Sequence, residues 1–539
     1  MHRRNRRAFL LLAAAIVLVL AGLAVSNYSS TPGPATGAAR LVPGDALLYL
    51  DVSTDPSRGP VQQAIRVARR LPDFPLGEAA VARRLDAILS GSSGTGVDFA
   101  SQVRPWLGRE AALALLNTST STAGSLIVLD VRNRARAERF IASDGLTPAG
   151  RYRGVALMAY GSGTTVAFVR HYLVLGQAAS VRAAIDAAAG RIASLAVSRP
   201  YRRATAGAPA DRVIDAYLSA DGVRRVLAPQ GGLLGALGVL LYQPGLVGTA
   251  ISLSPSQAGL RVRVHDALDP ALAQGSRPAP RQFTPTLAAV LPRGTTLMLD
   301  VTGLSHVAPR VLTAGAEGGV AGRVGPLLRR LGAALSSEGV DVGRITSLFD
   351  GETAVAISPP SPAAGGQAAH GPALLIVTRT RHQAATRQLL AQVEAPLAQL
   401  FPAPRSGPGQ APEFNNVPVA GVTAHQLQLA PGLQIDYAVF RGLVVISTSV
   451  QAIGAVARHT GSLADDPRFA ATLGARPSRV SSLVFLDFSQ LLSLAEQTGL
   501  AQSGRIAALR PDLARIRAIG IASTSGEADT TAELILQIS

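Results

Sequence analysis

Three aspartates, Asp51, Asp300 and Asp487, each stand at the end of an apolar run and ahead of a turn or helix signal. Carboxylates gathered in one place can divide acid and base roles, so an acidic hydrolytic site drawing Asp51 and Asp300 from distant parts of the chain is one chemistry to weigh. The competing reading is architectural: an Asp at such a position accepts from nearby backbone N–H groups and starts the next turn or caps the next helix. His265-Asp266 is the closest approach to a catalytic pair, but neighbours on a strand point to opposite faces. The eight histidines, His2, His171, His265, His306, His370, His382, His425 and His459, are spread singly rather than at metal-ligand spacing. Gly91-Ser92-Ser93-Gly94-Thr95-Gly96 has the composition of a flexible loop and only a superficial likeness to a phosphate cradle.

Missing residue types exclude whole reaction classes. All 51 basic residues are arginine, and there is no cysteine. Without lysine there is no phosphate-loop Lys, Schiff base or Ser-x-x-Lys nucleophile; without cysteine there is no thiol catalysis, iron-sulfur cluster or Cys-ligated zinc. His-Glu-x-x-His and Gly-x-Ser-x-Gly are absent as well. The sequence therefore assigns no catalytic, cofactor-binding or metal residue, and no cofactor is expected. The arginine bias, with abundant Ala, Gly and Pro, matches the codon usage of a GC-rich genome.

One apolar segment is a candidate contact surface. Gly231 to Leu241 is apolar on every side, and such a helix must bury itself in protein, lipid or a partner. Leu233, Leu234, Leu237, Leu240 and Leu241 are its candidate membrane or ligand contacts, and burial in the surrounding core is the alternative.

The elements that must position these residues come in two matched sets. Leu41-Val42-Pro43-Gly44-Asp45-Ala46-Leu47-Leu48-Tyr49-Leu50-Asp51-Val52 is answered by Val290-Leu291-Pro292-Arg293-Gly294-Thr295-Thr296-Leu297-Met298-Leu299-Asp300-Val301. Arg83 to Leu89 and Arg329 to Leu335 carry apolar residues at helical spacing. Gly108-Arg109-Glu110-Ala111-Ala112 resembles Gly351-Glu352-Thr353-Ala354 with one gap, and each reads as a buried strand. Leu126–Leu129 and Leu374–Val377 predict strands, each followed by a helix, near Ala135–Ala142 and Gln383–Val393. Arg170, Leu173, Leu175 and Gly190 pair with Arg441, Val444, Ile446 and Gly461 at one constant offset, the glycines being expected to end helices. Hairpins over Ala250–His265 and Ile519–Ile538 are expected to close the two sets. In the first, Leu260, Val262 and Val264 should bury while Arg261, Arg263 and His265 meet water.

The N-terminus sets the compartment. Four arginines lie within residues 1–7, and Ala8 to Val25 carries no charge. At 1.5 Å per residue that run reaches about 27 Å, close to the hydrocarbon thickness of a bilayer. The positive-inside bias holds residues 1–7 in the cytoplasm and sends the rest across. The predicted plan is a transmembrane signal anchor over 8–26, a flexible stalk over 27–39, a first unit over 40–268, a linker over 269–286 and a second unit over 287–539. Cleavage after Ala24-Val25-Ser26 is the alternative to anchoring. The Pro- and Gly-rich runs 359–371 and 402–412 read as surface insertions. With 47% hydrophobic and 16% charged residues, the exported part should be globular, packed without disulfides.

The net charge of +17 divides as +5 over residues 1–40, +9 over 41–280 and +3 over 281–539. A basic first unit outside the cytoplasm would be drawn to anionic lipid or an anionic envelope polymer, and this location disfavours nucleic acid.

Together with the paired opening strands, Ser194-Leu195-Ala196 before Pro200-Tyr201 and Ser462-Leu463-Ala464 before Pro467-Arg468-Phe469 carry a family resemblance. The chain resembles the bacterial family called domain of unknown function 3352 over most of residues 40–539. The resemblance implies an exported, often membrane-anchored protein and transfers no activity or site residue. The expected fold is α+β: an N-terminal transmembrane helix followed by two tandem homologous units, each a mainly antiparallel sheet with packed helices. The expected function is non-enzymatic binding of a lipid, envelope polymer or protein partner at the outer face of the cell membrane. An extracytoplasmic hydrolase with an acidic site between the repeats and a structural spacer are the alternatives.

Overall fold

The computed structural model describes residues 33–72, 99–116, 124–142, 146–159, 163–227, 245–272, 281–304, 342–358, 372–399, 401, 412–430, 433–497 and 510–539. The span predicted over 8–26, the helices at 81–89 and 327–335, the apolar segment 231–241 and nearly all of both insertions lie outside them. No helix among the described residues is long and apolar enough to cross a membrane. The described chain is a mostly antiparallel sheet structure with several helices, and it divides into two compact units.

Unit one contains β1 (Leu48–Ser53), α1 (Gly59–Ala68), β2 (Leu107–Leu116), β3 (Gly124–Val131), α2 (Arg134–Ala142), β4 (Thr147–Tyr152), β5 (Val155–Ala159), β6 (Thr165–Val169), β7 (Tyr172–Gly176), α3 (Ala178–Ala188), α4 (Arg199–Ala204), β8 (Ile214–Ser219), β9 (Leu246–Pro255) and β10 (Gly259–Leu268). Every pairing is antiparallel, in the order β4-β5-β6-β7-β3-β2-β1-β8-β9-β10. All six residues of β1 are buried, because its two faces serve different cores. Leu48, Leu50 and Val52 pack with Val61, Ala64 and Ile65 of α1, while Tyr49 packs with Val181, Ala184 and Ile185 of α3. Trp106, the only tryptophan, lies under Phe140 and Ile141 of α2 in a further cluster.

Unit two contains β11 (Leu297–Thr302), β12 (Glu352–Ser358), β13 (Ala373–Arg379), α5 (Gln383–Gln399), β14 (Phe414–Val419), β15 (Val422–Ala430), β16 (Leu433–Phe440), β17 (Leu443–Ser447), α6 (Val450–Arg458), α7 (Pro467–Leu473), β18 (Ser482–Asp487), α8 (Phe488–Gln497) and β19 (Ile516–Ser525). Its antiparallel order is β14-β15-β16-β17-β13-β12-β11-β18-β19. One large core joins Met298, Ala354, Leu375, Val445, Ile453, Phe469 and Phe485.

The final strand departs from the sequence expectation. β20 (Asp529–Ile538) pairs antiparallel with β10 along Gly259↔Gln537 to Ala267↔Asp529, and Gly526–Ser539 groups with unit one. The hairpin expected over Ile519–Ile538 is present, but the second unit expected as one continuous stretch over 287–539 does not include Gly526–Ser539. The alternation expected along β10 is also blurred, with Leu260 to Val264 all half-buried and His265 buried.

Tight hairpins explain two of the arginines at constant offset. Arg153-Gly154, Ala420-Gly421 and Arg441-Gly442 take left-handed φ at both positions, as two-residue hairpin turns require. Arg170 is left-handed too (φ 56°), a conformation that costs an L-residue energy. Arg170 and Arg441 offset that cost by donating to Ala188 O and Ala457 O, the free carbonyls ending α3 and α6. Gly190 follows α3 with φ 72° as expected, whereas at α6 the left-handed residue is His459, φ 51°.

Candidate functional site

Each unit places an Asp–Glu pair on the same pair of neighbouring strands, with Asp51, Glu110 and Asp300 buried and Glu352 partly buried. In unit one Asp51 lies opposite Ala112 and Ser53 opposite Glu110, so the two acids are diagonal neighbours on one face. In unit two Asp300 lies opposite Ala354 and Thr302 opposite Glu352, an identical register. The one-residue gap between the matched sequences coincides with a register shift of β2 between Leu107 and Ala111. Asp130 holds that irregularity by accepting from Arg109 N at 2.6 Å.

The glutamates clamp a short helix from a distance. Glu110, 1% exposed, accepts from Gly37 N at 3.0 Å and Ala38 N at 3.1 Å, the free donors that open the 3-10 helix Ala38–Arg40. Tyr172 Oη donates to the same oxygen at 2.5 Å. The fit leaves no room for a side chain at residue 37: a Cβ there would stand 2.1 Å from Tyr172 Oη and 2.9 Å from Glu110 Oε1. In unit two Glu352 accepts from Thr286 N and, at 2.8 Å, from Leu287 N, opening the 3-10 helix Leu287–Ala289. Here Thr286 Oγ1 (2.5 Å) and Arg379 Nε (3.4 Å) supply Glu352 Oε2.

Those helices lead into the paired segments Leu41-Val42-Pro43 and Val290-Leu291-Pro292, which dock on the Ser-Leu-Ala motifs. Leu195 N donates to Val42 O at 2.7 Å and Pro43 bridges Ser194; Leu463 N donates to Leu291 O at 2.9 Å and Pro292 bridges Ser462. The motifs that carry the family resemblance are therefore partners in a single packing arrangement.

Asp51 and Asp300 do not cap a turn. Asp51 sits inside β1, 5% exposed, accepting from Tyr49 Oη at 3.1 Å while its Oδ1 and Glu110 Oε2 have no hydrogen-bond partner. Burial, then Glu110 and the facing Asp215, push its carboxyl well above the usual range. Asp300 is fully buried, with no partner for either oxygen as a carboxylate, and burial followed by Glu352 raises it to about 8. The capping expectation holds at Asp487, whose Oδ1 accepts from Gln490 N (3.1 Å) and Ser489 Oγ (2.7 Å) at the start of α8. Its other oxygen pairs with Arg468. Asp487→Ala should cost about 1–2 kcal/mol, visible as a lower melting temperature of unit two; an unchanged midpoint would remove the capping role.

The other candidates are spent structurally. His265 Nδ1 meets Thr531 Oγ1 at 2.9 Å, and Asp266 accepts from Thr249 Oγ1 at 2.7 Å and Thr530 Oγ1 at 3.3 Å, so the two do not act as a dyad. Among the described residues no three His, Cys, Asp or Glu side chains are placed to hold a metal ion. Leu233, Leu234, Leu237, Leu240 and Leu241 lie outside the described residues. Sequence reasoning missed the roles of Glu110 and Glu352. The available signal was a Glu one or two residues after a glycine at the start of both matched strands.

A family model described as protein of unknown function (DUF3352) matches residues 8–538. No curated protein matches the chain. Among solved structures, crystal forms I, III and IV of TP0453 are similar at 13%, 12% and 12% identity, with TM-scores of 0.26, 0.25 and 0.25. These matches cover 45%, 44% and 44% of this chain and 81%, 80% and 81% of the TP0453 chains.

Proposed function

The chain belongs to the DUF3352 family of proteins of unknown function, and from that premise we propose that it is a non-enzymatic, membrane-anchored extracytoplasmic protein that binds an anionic partner through unit one. Residues 8–26 are its single span, with the N-terminus cytoplasmic, and its stalk ends by residue 36, because Gly37 to Ala39, expected within the stalk, are clamped into unit one. The two units descend from a tandem duplication, supported by their shared strand order and the matching registers of Asp51/Glu110 and Asp300/Glu352.

One observation carries the binding reading: the recurring acids face inward as clamps and core groups, while the arginines around α2 face outward. Arg132, Arg134, Arg136 and Arg139 are all exposed just before and along α2, whose first turn has no acidic residue. Arg134 pairs with Glu138 at 2.8 Å and lies over the Phe168 ring. The remaining charges favour anionic lipid headgroups or an anionic envelope polymer; a protein partner with an acidic face would use the same surface. A hydrolase built on Asp51 and Asp300 is disfavoured by their 5% and 0% exposure. A purely structural spacer would leave this basic surface without a role.

The test uses the full chain held in neutral nanodiscs and mixed with phosphatidylglycerol or neutral vesicles. Co-flotation is expected with the anionic vesicles alone and should weaken in high salt. At about 1 kcal/mol per basic side chain near an anionic surface, Arg136→Gln with Arg139→Gln should weaken it by roughly tenfold or more. Equal recovery with both vesicle types would end the anionic-lipid reading.

A further inference from the structure

We infer that Asp300 and Glu352 share one proton and that this proton is a pH-sensitive latch on the 3-10 helix leading into the Leu-Pro segment of unit two. Asp300 is fully buried, and as a carboxylate it would leave both oxygens without a donor. Two ionised carboxyls side by side in a dry core are unfavourable, and neutralising one is the usual relief. A neutral Asp300 has an O–H to donate, and Glu352 on the adjacent strand is its hydrogen-bond partner. Glu352 remains the acceptor, keeping its bonds to Thr286 N, Thr286 Oγ1 and Leu287 N. The same proton thus satisfies the buried Asp and spares the clamp from a second negative charge.

Among the described residues, the charged surroundings of Asp300 are few. Glu352 on β12 opposes ionisation, while Arg379 on β13 and Arg476 after α7 favour it without overcoming burial. Burial also disfavours the Arg476 guanidinium. Leu483 of β18, directly across from Asp300, offers no charge. In unit one Asp51 and Glu110 repeat the register and each has one orphaned buried oxygen, so the arrangement is not an accident of one site.

The sign of the pH response follows. Asp300 holds its proton more tightly when the latch is closed, its carboxyl being raised from 3.8 to about 8. The contribution is therefore complete at low pH, declines as the pH rises from about 4, and is gone above about 8. Acid closes the latch and mild alkali weakens it.

Hydrogen exchange of residues 286–291, followed by mass spectrometry on the full chain in detergent micelles, reads the latch directly. Asp300→Asn keeps an N–H donor for Glu352 without an ionisable proton, and comparison at equal pH cancels intrinsic exchange rates. At about pH 3.5, below the ordinary Asp value, the two proteins should exchange nearly alike; at pH 8 the parent should exchange at least about tenfold faster, since one linked proton changes the opening equilibrium by up to tenfold per pH unit. Identical pH trends in both proteins would overturn the inference. Glu352→Gln provides a second arm: it removes the partner anion, so exchange should be faster at every pH and its excess pH dependence should shrink, burial alone still holding the Asp300 carboxyl above its ordinary value. Retention of the full parental pH response in that variant would equally overturn it. A protonated-carboxyl infrared band at pH 7, weaker in Asp300→Asn than in the parent, is the expected spectroscopic signature.

Discussion

Arg58→Ala should lower the melting temperature of unit one by about 10 °C while leaving unit two almost unchanged. Arg58 is 1% exposed, and its guanidinium donates to Ser53 Oγ at 2.8 Å, Arg212 O at 3.1 Å and Ala210 O at 3.0 Å. It ties the end of β1 and the start of α1 to the chain entering β8. Removing it leaves three acceptors without that donor in a nearly dry site and takes a cation from the neighbourhood of Asp55 and Asp215. Stripping one member from a buried charged network typically costs about 3–5 kcal/mol. Lysine should recover only part of the loss, because a point charge cannot span acceptors that a planar fork reaches together. Trp106, 1% exposed and in the core of unit one, provides the fluorescence readout. A midpoint within about 2 °C of the parent would mean the network does not hold the unit together.

The sequence made local structure legible where one apolar face or one periodic run decides it. The strands at 126–129 and 374–377 and the helix at 135–142 stand where their patterns placed them, because short buried runs and a 3.6-residue stripe have few other uses. Both halves of the family resemblance were visible as well, but not that they touch. Val42 and Leu195 are more than 150 positions apart, and the bond between their backbones carries no side-chain signature. The acids show the same limit. A carboxyl at a strand end has a common local use in capping, and Asp487 follows it. Asp51 and Asp300 lie before the ends of their strands, and their neighbours are set by the register with β2 and β12. Whether a carboxyl faces backbone donors or another carboxyl is decided by that long-range pairing. Glu110 and Glu352 were hidden for the same reason, since their acceptors are spent on helices some 70 residues earlier.

Ending the chain at Gly526 should destabilise unit one, although the residues removed follow the whole of unit two in sequence. The truncation strips β10 of its ladder with β20, from Gly259↔Gln537 to Ala267↔Asp529. It also removes the acceptor for Arg70 Nη1 at Ile538 O, the partner of His265 at Thr531 and a donor to Asp266 at Thr530. At about 0.5–1.5 kcal/mol net for each hydrogen bond, the loss should exceed roughly 5 kcal/mol and lower the Trp106 transition by at least about 10 °C. The bared edge of β10 is then a template for pairing with other chains, so concentration-dependent association should accompany the loss. Leu534→Asp, which puts a charge opposite Val262 without shortening the chain, should move the same transition in the same direction. Amide protection around Val445 and Ile453, in the core of unit two, should survive both changes. If instead that protection collapsed while the Trp106 transition held, β20 would belong energetically to unit two, as the uninterrupted repeat in the sequence suggests, and its pairing with β10 would contribute little to the stability of unit one.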